Sequence, residues 1–421
     1  MTEDTSVQTP TLPCELKKAK GFFEKLFIRQ MGKIEKGLLE VSTDKGKWIL
    51  GKKNSDAQTA SLAVNNPAFF RKACLGGSLG VADSYADGDW ETDDLVGLFR
   101  LFLQNLQTLD DMEGGLATLL NKLARWSYEI SQKNTERGSR RNIALHYDLG
   151  NDFYELMLDP TMTYSCAVFA SEKDTLEEAQ LAKYDSILDQ LEVKEEHHLL
   201  EIGTGWGGFA IRAAERHGCK VTTTTISERQ YEYAFTRVKK KNLQDRIKIV
   251  RDDYRKLKGQ FDRVVSIEMI EAVGHEFLPT YFSKISQLLK GDGAALIQAI
   301  TMPDHRYARY LKEVDYIRAR VFPGSCVPSV AAMLDAVSRQ SDLRPVSIRD
   351  IGLNYVLTLR KWRESFLSNL IKVKDLGYKE NFLRGWEYYL CYCEAGFKES
   401  YTSDVHLLLN KPNCTLARAT P

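Results

Sequence analysis

Between Thr175 and Ile300 the chain alternates short apolar runs with longer amphipathic ones. Leu199, Leu200 and Ile202 form a run suited to a strand buried on both faces, and Phe209, Ala210, Ile211, Ala213 and Ala214 give the next stretch a face that packs on a sheet. The same reading predicts strands over Lys220–Ile226, Ile247–Val250, Phe261–Ile267 and Ala294–Ile300. It predicts a long helix over Thr175–Leu191, and another that Ser227 caps with Gln230 three residues on. Strands alternating with helices predict an α/β fold, a doubly wound parallel sheet. Ligands of such sheets bind beyond the carboxyl ends of the strands. The candidate positions are therefore Gly203–Gly208, Thr225–Gln230, Asp253–Arg255, Glu268–Glu271 and Gln298–Ile300.

The first third of the chain reads differently, as a smaller α+β part. Met1 to about Pro13 is polar and reads as unstructured. Leu16 to Gly37 mixes seven Lys and Arg with Phe22, Phe23, Leu26, Phe27 and Ile28, as a basic amphipathic helix would. Two readings stand: a domain helix with a solvated lysine face, or a face for an anionic membrane surface. Leu38–Leu50 reads as a hairpin around Asp44-Lys45-Gly46, and Ala68–Cys74 as a helix followed by a turn at Gly76–Gly80. Tyr85–Trp90 reads as an aromatic, acidic loop, and Asp93-Asp94 as the cap of a helix over Leu95–Leu106. The expected organisation is an accessory, lipid-binding domain over 1–130, a charged linker over 131–142 and a catalytic domain over 143–421.

Composition narrows the setting. The 421 residues are 43% hydrophobic and 27% charged with a net charge of +1, so nothing points to nucleic acid. No apolar run is long enough to span a bilayer, and the acidic N-terminus does not resemble a signal peptide. The 8 cysteines are scattered without zinc spacing, which suits a reduced, cytoplasmic protein and predicts no metal site.

The candidate chemistry centres on Glu201-Ile202-Gly203-Thr204-Gly205-Trp206-Gly207-Gly208. Glycines let the backbone turn sharply and approach a ligand. No Gly-Lys-Ser/Thr follows, and Glu201 would repel a phosphate. An acid beside a glycine turn suits a cationic ligand that carries a ribose, and S-adenosylmethionine (SAM) is such a ligand.

Further motifs extend the case: His146–Asp152, Met162-Thr163-Tyr164-Ser165-Cys166, Thr225-Ile226-Ser227 with Gln230, Phe261–Ser266, Phe322–Ser329, and Tyr388-Tyr389-Leu390 with Cys393. With Gly203–Gly208 they resemble the cyclopropane-fatty-acyl-phospholipid synthase family, which includes the mycolic acid cyclopropane synthases. Asn66-Pro67, Gly77–Gly80 and Tyr85–Glu91 resemble its longer bacterial members. The resemblance implies a Rossmann-like class I SAM methyltransferase domain. It implies that the cis double bond of an unsaturated phospholipid acyl chain attacks the SAM methyl group. The resulting carbocation then loses a proton to a bound bicarbonate, and a three-membered ring closes.

Matched residue by residue, Cys166, Glu271, Ile300 and Tyr355 take the bicarbonate-holding positions, although Tyr355 and Cys166 are also residues of an ordinary core. Gln298 stands where the family commonly has His, which removes an ionisable group. It keeps open a second outcome, a methylene- or methyl-branched acyl chain. Cys393 matches a family cysteine that no step of this scheme needs. Tyr164, Ser165 and Leu200 through Gly208, with Glu201, Gly203, Gly205, Trp206 and Gly207, match SAM contacts. Thr225 and Gln230 stand in for the usual ribose-binding acid, and Tyr254 and Arg255 flank the adenine. The insertion after Thr301, with Tyr310, Tyr316, Arg318 and Arg320, would cover the site and line an acyl channel. The implied setting is the inner face of a membrane, with phospholipid as partner and a homodimer as a possible assembly. Two rivals are a methyltransferase acting on oxygen or nitrogen of a small molecule, and a catalytically silent lipid-binding protein.

Overall fold

The computed structural model describes residues 19, 21–53, 58–106 and 149–416. The expected linker 131–142, the N-terminal stretch Met1–Pro13 and His146–Asp148 lie outside them. The chain forms two units, Met1–Tyr128 with Gly377–Glu399, and Glu129–Leu376 with Ser400–Pro421.

The first unit is built on a four-stranded sheet in the order β2-β1-β3-β4. Strands β1 (Gly37–Thr43) and β2 (Gly46–Lys52) form the expected hairpin, closing at the Thr43–Gly46 pair. β3 (Thr59–Val64), which the sequence reading missed, runs parallel to β1, and β4 is the short Trp90–Glu91. Among the described residues the basic helix spans Phe22–Met31 and ends before the expected Gly37, with Phe27 and Ile28 buried and Phe22 76% exposed. The turn expected at Gly76–Gly80 is a kink instead. Helix Ala68–Ala86 runs through it because Gly77 takes φ 54°, so the supposed loop at Tyr85 begins inside a helix. Asp94 caps helix Leu95–Gln104 by accepting from the Gly97 N–H.

The expected boundaries left Gly377–Glu399 in the catalytic part, but helix Glu380–Lys398 belongs to the first unit. Its Arg384 donates to the carbonyls of Tyr85 and Trp90 at 2.7 and 3.0 Å, and Tyr388 packs edge-on to Phe99 at 4.8 Å. The small sheet and its helices take a long-range segment to complete their core, which a linear domain boundary cannot represent.

The second unit carries a seven-stranded sheet in the order β10-β11-β9-β8-β5-β6-β7. The strands are β5 (His198–Ile202), β6 (Lys220–Thr224), β7 (Ile247–Val250), β8 (Phe261–Ile267), β9 (Leu289–Thr301), β10 (Arg344–Asp350) and β11 (Ser403–Asn410). The five from β5 to β9 are the expected parallel core. The sheet as a whole is mixed, because β11 returns antiparallel to β9 and β10 antiparallel to β11. One face packs Leu200, Ile202, Val264 and Ile297 against helix Leu278–Leu288. The other packs Leu199, Val221, Val265 and Leu296 against helices Leu176–Gln190 and Gly208–His217. Burial of both faces explains the near-continuous apolar strands. Among the described residues no helix is long and apolar enough to cross a membrane.

Candidate active site

The glycine turn leaves β5 with Gly203, Gly205 and Gly207 at φ 103, 51 and 87°. The N–H groups of Gly203 and Thr204 donate to the carbonyl of Thr224 at 3.1 and 3.0 Å, which ties the turn to the end of β6. Trp206 is buried and its Nε1–H donates to Asn151 at 2.8 Å. Glu201 is buried and accepts from the Thr223 hydroxyl at 2.6 Å. Burial pushes its carboxyl up to about 8, against the opposing pull of that hydrogen bond.

Thr225 donates to Gln230 Oε1 at 2.9 Å, so the two expected ribose contacts are organised by each other. Arg255 is committed to Asp253 through Nε and a terminal nitrogen, at 2.8 and 2.6 Å. It therefore stands beside Tyr254, 5.7 Å from that ring, as one half of an ion pair. Sequence reasoning had not assigned Asp253 a role.

The main surprise lies at the end of β8. Glu268, the first residue of the candidate stretch Glu268–Glu271, adopts φ 47°. That left-handed conformation is strained for a residue with a Cβ. Its Oε1 accepts from the Cys166 N–H at 2.7 Å and from Gln298 Nε2 at 2.8 Å, and its Oε2 accepts from the Tyr355 hydroxyl at 2.6 Å. Cys166 contributes its backbone. Its thiol is fully buried and pushed well up by that burial, so it is no thiolate.

Gln298 reaches this point because β9 lies between β8 and β11, pairing Gln298 with Ile267 on one side and His406 on the other. The Gln298 amide also donates to Asp404 at 3.1 Å, and His406 Nε2 meets its oxygen at 3.3 Å. Burial first, then the Glu268 charge, pushes Asp404 well up, and burial pulls His406 down to about 3. His406 is therefore neutral near pH 7, and Asp404 is held toward its neutral form. Glu271 accepts from the Ile300 N–H at 2.6 Å, while its other oxygen is buried with no partner among the described residues. Burial, then the Glu268 charge, pushes Glu271 up to about 8. Behind the cluster Lys183 is fully buried and donates to Ser165 at 2.6 Å, its ammonium pulled down to about 8 by burial.

Of the four positions that the resemblance assigns to bicarbonate, Cys166, Tyr355 and Ile300 have their donors occupied, and only the second Glu271 oxygen is without a partner among the described residues. Glu268 takes those of Cys166 and Tyr355 and also accepts from Gln298, and Glu271 takes that of Ile300. Bicarbonate does not fit the site as these residues form it. Cys393 lies on helix Glu380–Lys398 of the first unit.

Between the turn and the carboxylates runs an unbroken file of rings. Trp206 lies 4.9 Å from Tyr154, Tyr154 5.3 Å from Tyr164, Tyr164 5.0 Å from Trp362, and Trp362 6.0 Å from Tyr355. Gly203 also abuts Met269, the neighbour of Glu268.

Glu268 was legible as the first acid of Glu268-Met269-Ile270-Glu271 past an apolar strand. Lys183 was legible as a lysine between Ala179 and Ile187 on a buried helix face. Asp404 and His406 were legible only as polar residues within the apolar run Val405, Leu407, Leu408 and Leu409, which marks β11.

Residues 134–407 match the family described as Mycolic acid cyclopropane synthetase. The chain is 37% identical over 362 residues to the tuberculostearic acid methyltransferase UfaA1 of Mycobacterium tuberculosis, covering 82% of each chain. It is 35% identical over 349 residues to the cyclopropane-fatty-acyl-phospholipid synthase of Escherichia coli K12, covering 80% of this chain and 85% of that one. The solved mycolic acid cyclopropane synthase CmaA1 of Mycobacterium tuberculosis, in complex with S-adenosylhomocysteine (SAH), superposes with a TM-score of 0.61 at 30% identity, covering 65% of this chain and 98% of that one. With a match over more than half its length and a solved relative holding the spent cofactor, this chain belongs to the mycolic acid cyclopropane synthetase family and is a SAM-dependent methyltransferase.

Proposed function

We propose that the enzyme transfers the SAM methyl carbon to the cis double bond of an unsaturated phospholipid acyl chain and closes a cyclopropane ring. The file of rings from Trp206 to Tyr355 carries this reading. An alkene is a poor nucleophile, and the cation formed when it attacks a methyl group needs a dry, electron-rich wall. The π pair bonds to the methyl carbon while the S–CH3 pair stays on sulfur, releasing SAH. The cation then loses a proton from the new methyl, and that C–H pair closes the ring. The glycine turn, Glu201, Tyr164 and Ser165 would hold SAM, Thr225 and Gln230 its ribose, and Tyr254 with the Asp253–Arg255 pair its adenine. Gln298, with no proton to exchange, is a positioning amide.

Incubation with SAM and vesicles of a monounsaturated phospholipid is expected to add one CH2 to the acyl chains, with upfield cyclopropane protons by NMR. No added CH2 despite SAM binding would overturn the reading. The name of the tuberculostearic acid methyltransferase supports a second outcome, transfer without ring closure, which vinylidene protons would report. Of the two readings of helix Phe22–Met31, a solvated domain helix or a face for an anionic membrane, the exposed Phe22 with Lys25 and Arg29 on the same helix supports the second. Salt-dependent flotation of the same vesicles reads it.

Glu201 gives a separate expectation. Its carboxyl is largely protonated at pH 7, and a bound sulfonium favours the anion. SAM binding should therefore release a proton and tighten as pH rises toward about 8, then level off. Calorimetric heats should differ between phosphate and Tris buffers for the wild type, and this difference should shrink in Glu201→Gln. Equal heats in both buffers would refute the assignment.

A further inference from the structure

We propose that Glu268 is the built-in base of the reaction, its carboxylate standing where the resemblance places bicarbonate, so that turnover needs no bicarbonate. This rests on the reaction proposed above and assigns its proton acceptor.

Three observations carry the proposal. First, the carboxylate collects the Cys166 N–H, the Gln298 amide and the Tyr355 hydroxyl at 2.6–2.8 Å, the donor set expected around a small planar oxyanion. Second, Glu268 pays for this position in backbone strain, at φ 47°, and such strain persists where the surroundings enforce it for function. Third, it is only half-buried, whereas Cys166, Gln298 and Asp404 around it are fully buried, so it forms the accessible edge of the cluster. The other two acids support the same assignment. Asp404 and Glu271 are held toward their neutral forms by burial, so neither is suited to take the proton.

The chemistry suits a carboxylate. A C–H bond beside a carbocation is strongly acidic, so a weak base suffices. A base fixed by three hydrogen bonds is also held in one orientation, which limits its own attack on the SAM methyl. In the step, a proton moves from the new methyl carbon to a Glu268 oxygen. The released C–H pair forms the last ring bond, and the carboxylic acid loses its proton to solvent after product leaves.

The test is turnover of the full chain in decarbonated buffer and with added bicarbonate, for the wild type, Glu268→Gln and Glu268→Gly. Wild-type turnover is expected to be independent of bicarbonate. Glu268→Gln, which keeps the shape but not the basicity, should lose about 10²–10⁴-fold in turnover while binding SAM as before. Glu268→Gly suits the left-handed backbone and vacates the place among the donors, so it should be inactive alone and regain turnover when bicarbonate or formate is added. A wild type active only with bicarbonate, or Glu268→Gln within threefold of the wild type, would overturn the assignment while leaving the reaction intact. A wild type that makes no product even with bicarbonate would overturn the reaction, and this assignment with it.

Discussion

Replacing Trp362 by alanine should cost about 3–5 kcal/mol of stability and most of the turnover. The ring is 1% exposed and lies between Tyr164 and Tyr355, at 5.0 and 6.0 Å. It is the link in the file of rings that joins the cofactor side to the carboxylate side. Its helix, Gly352–Ser368, also holds the segment after Cys166. Thr358 accepts from the Ala167 N–H at 3.1 Å and Asn354 from the Phe169 N–H at 2.9 Å. A cavity at Trp362 loosens Tyr355, and with it one of the three donors on Glu268. The melting temperature should fall by roughly 10 °C for a unit of this size. Trp362→Phe, which keeps a ring, should recover most of both losses. A thermal scan and a kcat/KM measurement on the two variants decide this. If alanine leaves both unchanged, the file of rings is not a working wall.

Gly203→Val should weaken SAM binding by about 10–100-fold, the equivalent of 1–3 kcal/mol of local strain. Gly203 has φ 103°, where a β-branched residue is a severe outlier, and an added Cβ would lie 3.3 Å from Met269. The valine must shift the turn or Met269, and Met269 carries Glu268 beside it. Gly218→Ala is the control. Gly218 also has a positive φ, 64°, but it ends helix Gly208–His217 at the far side from the turn, so it should lower stability and leave SAM affinity intact. Calorimetric titration with SAM on both variants separates the effects. Equal losses would mean that strain acts through global stability alone.

The parallel core was readable because its chemistry is local. Ile247–Val250 and Phe261–Ile267 coincide with the observed β7 and β8, and Thr175 caps its helix through a capping box with Glu178. Such elements announce themselves by apolar runs and caps within a few residues. β10 did not, and β11 went unread although Val405, Leu407, Leu408 and Leu409 form such a run. β10 is exposed along most of its length, and Arg344–Asp350 offers only Val346 and Ile348 to mark it. β11 follows a helix that belongs to the other unit, so the sequence around it suggested no return to the sheet.

By itself, the sequence determined the β5–β9 core, the glycine turn with its buried acid, and the strand ends where the site had to lie. Short-range periodicity, capping and backbone freedom are properties of neighbouring residues, so they survive in one dimension. Only the tertiary structure decided which acid is gripped as the candidate base. Glu268 and Glu271 are three residues apart and look equivalent in the chain. Their difference comes from Cys166, Gln298, Tyr355 and Asp404, which arrive from four other segments. Hydrogen-bond donors and burial act through space, and those contacts set which carboxyl is gripped by three donors.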